Sequence, residues 1–419
     1  MEATALADDG VPRKVSWRQG GRPVRVLPVA GVFGPNGSGK SNVLKAMSVF
    51  RNHVLLSFRS GDPGGGIPRR PFRLDKDSTA RPSRFEVDLV LNGVRHEYGV
   101  IFDDERVLKE WAYRYPRGRS ALLFRRESGK PIELGAGNRS VGRAVEKITR
   151  PNAFFLSAAA AAGHPDLLPL FQWFEDSLLL AEASSRQVRW AYTTHLLRHE
   201  RSRDLVLALI RAADLGIANV RIRPLDPQVV DRVRRAAQIL SGREEEAEAA
   251  PDVDLTELGL VLTHQGGGDD IDFDVSEESL GTLVWLGLIG PVVAALERGS
   301  VLLADELEAS LHPMLVQRLV ELFQDQEANT NGAQLIFSSH DVSLLDDTTG
   351  HRRLGRDQIW FTEKLADGNS RLYPLSDLGP RREEAIGKRY LAGLYGATPI
   401  VNRAEFVEVA QLIATGEHG

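Results

Sequence analysis

Gly34-Pro35-Asn36-Gly37-Ser38-Gly39-Lys40-Ser41 is the segment of this chain best suited to chemistry. Its glycines let main-chain N–H groups curl around a phosphate with no Cβ in the way. A helix that starts at the loop would add its positive N-terminal end. Lys40 is then expected to reach the β- and γ-phosphates, and the Ser41 hydroxyl to ligate Mg²⁺. The expected nucleotide contacts are Gly34, Asn36, Gly37, Ser38, Gly39, Lys40, Ser41 and Asn42. The bland alternative is a chance glycine-rich turn. At average glycine usage, a match somewhere in the chain would arise on the order of 1% of the time. A strand before the loop and a helix after it make chance a poorer explanation still. ATP is the expected ligand, with Mg²⁺.

Three further groups fit a hydrolytic site. Val301-Leu302-Leu303-Ala304-Asp305-Glu306 is an apolar strand ending in two carboxylates. In a parallel sheet, ligands sit at the C-terminal ends of strands. Asp305 would join the Mg²⁺ shell, and Glu306 would polarise the attacking water as general base. Taken alone, such a run is equally well a strand entering a polar loop; the pairing with Lys40 favours function. Ser338-Ser339-His340 closes the next strand. A lone histidine is more often structural, but a neutral imidazole on this rim could hydrogen-bond the γ-phosphate and the water. Lys40, Glu306 and His340 form the expected catalytic set. Ser276-Glu277-Glu278-Ser279-Leu280-Gly281-Thr282 precedes a long apolar helix. Ser279 reads as its N-cap. Ser279 and Gly281 also suit a second phosphate clamp, facing nucleotide held by another subunit.

These residues need a scaffold. Val24 to Phe33 reads as one strand leading into the loop, and Asn42 to Val54 as a helix with Val43, Leu44, Met47 and Phe50 on one face. Phe85, Val87, Leu89 and Leu91 alternate toward one side before an Asn92-Gly93 hairpin turn. Tyr98–Phe102, Leu108–Tyr115 and a hairpin around Gly129 continue an antiparallel patch. Residues 140–150 and 165–215 read as helices, as does Pro224 to Ser241 before an acidic loop, Glu244 to Asp254. Leu258–Thr263 and Ile271–Val275 read as strands flanking Gly266-Gly267-Gly268. Val301–Ala304, Met314–Gln326 and Leu335–Phe337 make a βαβ unit of a parallel sheet. Ile359–Thr362 and Arg371–Tyr373 read as a last hairpin. The expected organisation is a poorly ordered segment 1–22, a first lobe part 23–139, a helical insertion 140–257, a second lobe part 258–376 and a helical tail 377–419.

Composition narrows the field. The 419 residues carry a formal net charge of −5 and no cysteine, which excludes disulfides, zinc thiolate sites and cysteine nucleophiles. Leu280 to Leu296 is short for a bilayer and holds Gly281, Gly287, Gly290 and Pro291, so it reads as a buried helix ending near Pro291. A cytoplasmic protein without a membrane span is expected.

The order of motifs resembles ATP-binding-cassette-type ATPases of the SMC and overcoming-lysogenization-defect class. Gly34 to Asn42 looks like their Walker A and Leu303-Ala304-Asp305-Glu306 like Walker B. Ser279-Leu280-Gly281-Thr282 resembles a degenerate signature, Ala309-Ser310-Leu311-His312-Pro313 a D-loop, and His340 the switch histidine. The resemblance implies an α/β P-loop NTPase head of the ABC type, with a mixed sheet, an antiparallel β subdomain and a helical insertion. It also implies an ATP-dependent head-to-tail homodimer. Residues 41–110 contain no glutamine, so the usual Q-loop ligand is missing, and Phe72 to Asp75 occupies roughly its place.

A narrower resemblance rests on Pro151-Asn152-Ala153-Phe154-Phe155-Leu156-Ser157, Trp173-Phe174 and Arg389-Tyr390-Leu391-Ala392-Gly393-Leu394-Tyr395-Gly396-Ala397-Thr398-Pro399. These segments are similar to stand-alone AAA-type ATPases of bacterial restriction-linked and abortive-infection loci. That family is often encoded beside a small RloB-like protein. The resemblance implies a sensor or switch in anti-phage defence, acting with an effector partner. The competing reading is an SMC-like DNA-repair ATPase that binds DNA or RNA through Arg114, Arg117, Arg119, Arg125 and Arg126. A solvated charged face explains those arginines better at this net charge. A transporter subunit fits less well, given the missing glutamine and the large insertion. A built-in nuclease is not expected, because the residues after His340 hold no dense carboxylate cluster.

Overall fold

The computed structural model describes residues 2–3, 12–15, 24–181, 186–223, 259–266, 269–345, 353–399 and 402–415. The expected helix Pro224 to Ser241, the acidic loop Glu244 to Asp254, Gly267-Gly268 and most of segment 1–22 lie outside the described residues.

Six strands form the central sheet. Their spatial order is Ser370–Pro374, Ile359–Lys364, Val29–Phe33, Gln334–Ser339, Val301–Ala304 and Leu178–Ala181. The first pair is antiparallel and every other pair parallel. Val29–Phe33 is buried at every position, as a strand covered on both faces must be. Its neighbour Gln334–Ser339 separates it from Val301–Ala304. Three adjacent strands therefore deliver the glycine loop, Ser338-Ser339-His340 and Asp305-Glu306 to one rim. This is the expected α/β P-loop NTPase head with a mixed sheet.

The two faces of the sheet are covered differently. Leu302, Leu335 and Phe337 join the large core with Leu286, Ile289, Leu319 and Phe323 of helices Leu280–Arg298 and Pro313–Gln324. Leu303 and Ile336 point the other way, against Leu44 of helix Lys40–Leu56. Strand alternation sorts these side chains between the two layers.

A second core lies under a five-stranded antiparallel meander, Ser83–Leu91, Val94–Phe102, Val107–Tyr115, Ala121–Glu127 and Glu133–Leu134. Asn92 and Gly93 form its first turn with φ of 50° and 73°, as a two-residue hairpin loop requires. Phe50 of helix Lys40–Leu56 stacks on Phe85 and Tyr98 at 5.2 and 5.7 Å. Arg150 holds the far end of the same helix by donating to the Ser57, Phe58 and Gly61 carbonyls. The loop helix thus ties the two cores together.

The structure corrects several local expectations. Val24 to Phe33 is two strands, not one: Val24–Val26 pairs with Arg13–Val15, and the chain turns at Leu27-Pro28 before entering the main sheet. Arg13–Val15 is accordingly ordered, inside a segment expected to be loose. Leu178–Ala181 lies where helix was expected and forms the edge of the central sheet. The 140–257 segment also contributes Ile217–Ile222 to a small sheet with Leu260–His264 and Ile271–Asp274.

Helix Leu280–Arg298 does not end near Pro291 but runs through it. Thr193 makes this tolerable. Its hydroxyl donates to the Leu286 carbonyl at 2.6 Å and accepts from the Gly290 N–H at 3.1 Å. It thereby bridges the ladder one residue before the proline, where a kinked helix needs substitute partners. Gly290 is required there, since a Cβ would sit 2.4 Å from the Thr193 nitrogen. This helix is long and apolar enough to cross a membrane, but 72% of its apolar window is buried inside the protein.

Candidate functional site

The phosphate loop is a left-handed turn sequence. Gly34, Gly37 and Gly39 have φ of 154°, 75° and 107°. Gly34 and Gly39 also lack room: a Cβ on Gly34 would lie 2.4 Å from the Thr362 carbonyl oxygen, and one on Gly39 2.5 Å from Ser370 Oγ. Gly37 faces open space, so only its backbone conformation demands glycine. Gly39 caps helix Lys40–Leu56 without a side chain, which leaves the N-terminal N–H groups accessible to an anion.

Ser38 is used differently from its neighbours. Its side chain is fully buried and shares a 2.6 Å hydrogen bond with Thr362, which also donates to the Phe33 carbonyl at 3.3 Å. Only its main chain is left for a phosphate. Asn36 and Asn42 are exposed at the loop surface, and Ser41 is half-buried in the first helical turn.

Lys40 is buried and folded back on its own loop, donating to the carbonyls of Gly34 at 2.9 Å and Pro35 at 3.2 Å. Burial lowers its pKa, and the carboxylates of Glu308, Glu306 and Asp305 pull it back up. Those interactions put the lysine and the acidic strand end in one electrostatic neighbourhood. Asp305 is fixed by Ser338, whose hydroxyl donates to its Oδ1 at 2.6 Å and accepts from the Glu306 N–H at 2.8 Å. Glu306 itself holds φ of 50°, an unusual conformation for a non-glycine residue, which aims its exposed side chain off the strand axis. His340 titrates below the ordinary histidine value, first through burial and then through the Lys40 charge. Its imidazole is therefore neutral near pH 7.

Glu308 was not anticipated. It accepts a hydrogen bond from the His340 N–H, its second oxygen is buried without a partner, and it is the largest of the carboxylate influences on Lys40. The sequence signal was a third acidic residue two positions after Glu306. Thr362 and Ser370 were missed as well, although the hairpin that carries them braces Gly34 and Gly39.

The signature residues stand elsewhere. Ser279 Oγ caps helix Leu280–Arg298 by accepting from the Thr282 N–H at 3.1 Å. Gly281 lies against the D-loop, where a Cβ would be 2.8 Å from the Ser310 carbonyl. Among the described residues, no hydrogen bond joins Ser279 or Gly281 to the Gly34–Ser41 loop. Phe72 to Asp75 meets the tip of the hairpin, with Leu74 against Gly368, and Asp75 caps the short helix Lys76–Ala80. Three arginines of the competing reading have protein partners, while Arg117 and Arg119 are exposed. Arg126 is buried on the Ala153, Arg150 and Pro151 carbonyls, Arg125 pairs with Glu133, and Arg114 pairs with Asp166.

Residues 29–346 match the family model described as "AAA domain, putative AbiEii toxin, Type IV TA system". The chain belongs to this family. The match begins at the loop strand and ends just past His340, so it contains the Gly34–Asn42 loop, Ser279, Gly281, Asp305, Glu306 and His340. Among solved structures, the SMC head domain from Thermotoga maritima is similar at 15% identity, covering 87% of this chain and 96% of that one, with a TM-score of 0.35. CbiO1 from Clostridium perfringens, part of an ABC transporter complex, is similar at 12% identity, covering 88% and 91%, with a TM-score of 0.25. No curated protein matches the chain.

Proposed function

We propose that this chain is a Mg²⁺-dependent ATPase working as a switch: ATP joins two copies head to tail, and hydrolysis lets them part. The observation that carries the reading is the convergence of Lys40, Asp305, Glu306 and His340 on one rim, delivered by three adjacent strands of the sheet. Lys40 leaves its loop carbonyls for the β- and γ-phosphates. Glu306 accepts the proton of the attacking water, and neutral His340 hydrogen-bonds the γ-phosphate. Ser41 and Asp305 suit Mg²⁺. The Ser41 hydroxyl makes no hydrogen bond among the described residues, and Asp305 spends one oxygen on Ser338. No group of three His, Asp or Glu that could hold a metal exists among the described residues. Mg²⁺ needs none, since it takes one or two protein oxygens and completes its shell with phosphates and water.

Ser279 and Gly281 would close the site from the partner copy, consistent with their having no hydrogen bond to the loop of their own chain among the described residues. The biological role proposed is control of an effector protein in cytoplasmic anti-phage defence, with a small RloB-like protein encoded nearby as the candidate effector. The family description, which names a toxin within a TA system, supports a two-protein arrangement. The protein partners of Arg114, Arg125 and Arg126 count against the DNA-repair alternative. The test is Mg²⁺-ATP hydrolysis by the purified chain, alone, with DNA or RNA, and with the neighbouring protein. Hydrolysis that Lys40→Ala abolishes, and that the neighbouring protein modulates, is expected. Turnover that only DNA elicits would favour the alternative, and none under any condition would refute the ATPase.

A further inference from the structure

Two acidic residues lead into helix Leu280–Arg298, and they are used in opposite ways. Glu277 is exposed and accepts from the Asp274 N–H at 2.8 Å, closing a cap around the short turn Val275–Glu277. Glu278 points inward, with its side chain only 6% exposed, and shares a 2.5 Å hydrogen bond with His264 Nε2. An ionised carboxylate can only accept, so Nε2 carries the proton of this bond.

His264 is itself firmly held. It ends strand Leu260–His264, the middle strand of the small sheet, where it pairs with Ile271. Its ring meets the Phe273 ring edge to face at 4.9 Å. The Glu278 N–H donates to the Val275 carbonyl at 3.2 Å, so main chain and side chain of Glu278 are both fixed. Ser279 follows at once and caps the helix through the Thr282 N–H. Gly281 then fits against the Ser310 carbonyl with no room for a Cβ, which leaves little tolerance for a shift of this turn. A buried carboxylate that loses its partner moves toward water, because an unpaired charge is costly to bury. That movement would carry Ser279, the next residue, with it.

We infer that His264 is a positioning residue for the Ser279–Gly281 turn: through Glu278 it fixes the segment that closes the nucleotide site of a second copy. The inference rests on the composite-site reading proposed above. It gives the small sheet a part in hydrolysis, exerted through one side-chain pair. His264 touches no nucleotide on this account, so its loss impairs the signature half of the site and leaves the glycine loop of the same chain competent.

Mixing variant chains reads this half-specific defect. His264→Ala should lower ATP hydrolysis per folded chain at least tenfold and leave ATP binding by the single chain in place. His264→Gln, which keeps an N–H donor at similar reach, should restore most of the rate. Mixed one to one with Lys40→Ala, the His264→Ala chain should recover hydrolysis to about a quarter of the unmodified rate, because its own glycine loop then meets an intact signature turn. Mixed with Gly281→Arg it should recover nothing, because both chains lack a working turn. Recovery with Gly281→Arg, or none with Lys40→Ala, would overturn the proposal. Lys40→Ala mixed with Gly281→Arg is the control. Failure of that control sinks the composite site and this proposal with it, whereas recovery there beside full activity of His264→Ala overturns the proposal alone. If His264→Ala does not fold, Glu278→Ala, which leaves no buried charge behind, replaces it in both mixtures with the same expected outcomes.

Discussion

The two segments proposed to meet phosphate are built by opposite strategies. The Gly34–Ser41 loop is held from several directions: Thr362 and Ser370 brace its glycines, Ser338 orients Asp305, and Glu308 holds His340. Among the described residues, the Ser279–Gly281 turn rests on its own helix cap and on the Ser310 carbonyl. The first is held in place by its neighbours, with Ser38, Lys40 and one oxygen of Asp305 committed to protein partners. The second is a helix start with no hydrogen bond to that loop among the described residues. On the proposed reading the contrast divides the labour: one chain supplies binding and chemistry, and a second copy closes the site.

The largest effects should come from the preorganised half. Lys40→Ala should cost roughly 10³-fold in ATP hydrolysis, since it removes the charge that stabilises the transferring phosphate. A phosphate-release assay checks this. Glu306→Gln should slow hydrolysis by roughly 10²–10⁴-fold while keeping ATP affinity, because it removes a general base without changing shape. Light scattering with saturating ATP should then show a trapped dimer, and a monomer would break the comparison.

Ser279→Ala sharpens it. If the residue were only a cap, the variant would lose about 1 kcal/mol of stability and keep its turnover per folded molecule. The composite-site account expects turnover to fall by roughly tenfold or more as well. Glu308→Gln should have a smaller effect, about tenfold on hydrolysis, as a charge-assisted hydrogen bond to His340 weakens by about 1.4 kcal/mol.

The pH profile gives the finest test. The folded protein holds the His340 pKa below its ordinary value, so folding favours the neutral ring. That contribution is complete above the ordinary histidine pKa and is lost as pH falls through the window beneath it. Hydrolysis should hold near neutrality and decline on the acid side, and His340→Asn should flatten that limb. An unchanged limb in the variant would assign it to another group.

Much of the candidate site was legible in the sequence because a phosphate-binding loop leaves few alternatives in residue type. A loop that wraps a phosphate needs glycines at left-handed positions, and a strand end that serves a metal and a water needs carboxylates. What escaped depends on tertiary placement. Glu308 becomes significant only when the strand order sets His340 beside it. Thr362 reaches Ser38 across 324 residues of sequence, with no local pattern to mark it. Leu178–Ala181 is a four-residue apolar run, too short for periodicity to separate a buried strand from a helix. Pro291 misled because its helix is rescued by Thr193, a residue on another element. Arg126 looked like surface charge until its carbonyl partners at 150, 151 and 153 were in place.

Subunit mixing tests the central claim most directly. Lys40→Ala and a bulky signature variant, Gly281→Arg, are each inactive alone on this account. Mixed one to one, half of the dimers are heterodimers, and each rebuilds one intact site from the unmodified loop of one chain and the unmodified signature of the other. Hydrolysis should then recover to about a quarter of the unmodified rate under two-fold pairing. Recovery to that level is the predicted result. A mixture as inactive as its two components would place the whole site within a single chain and contradict the account.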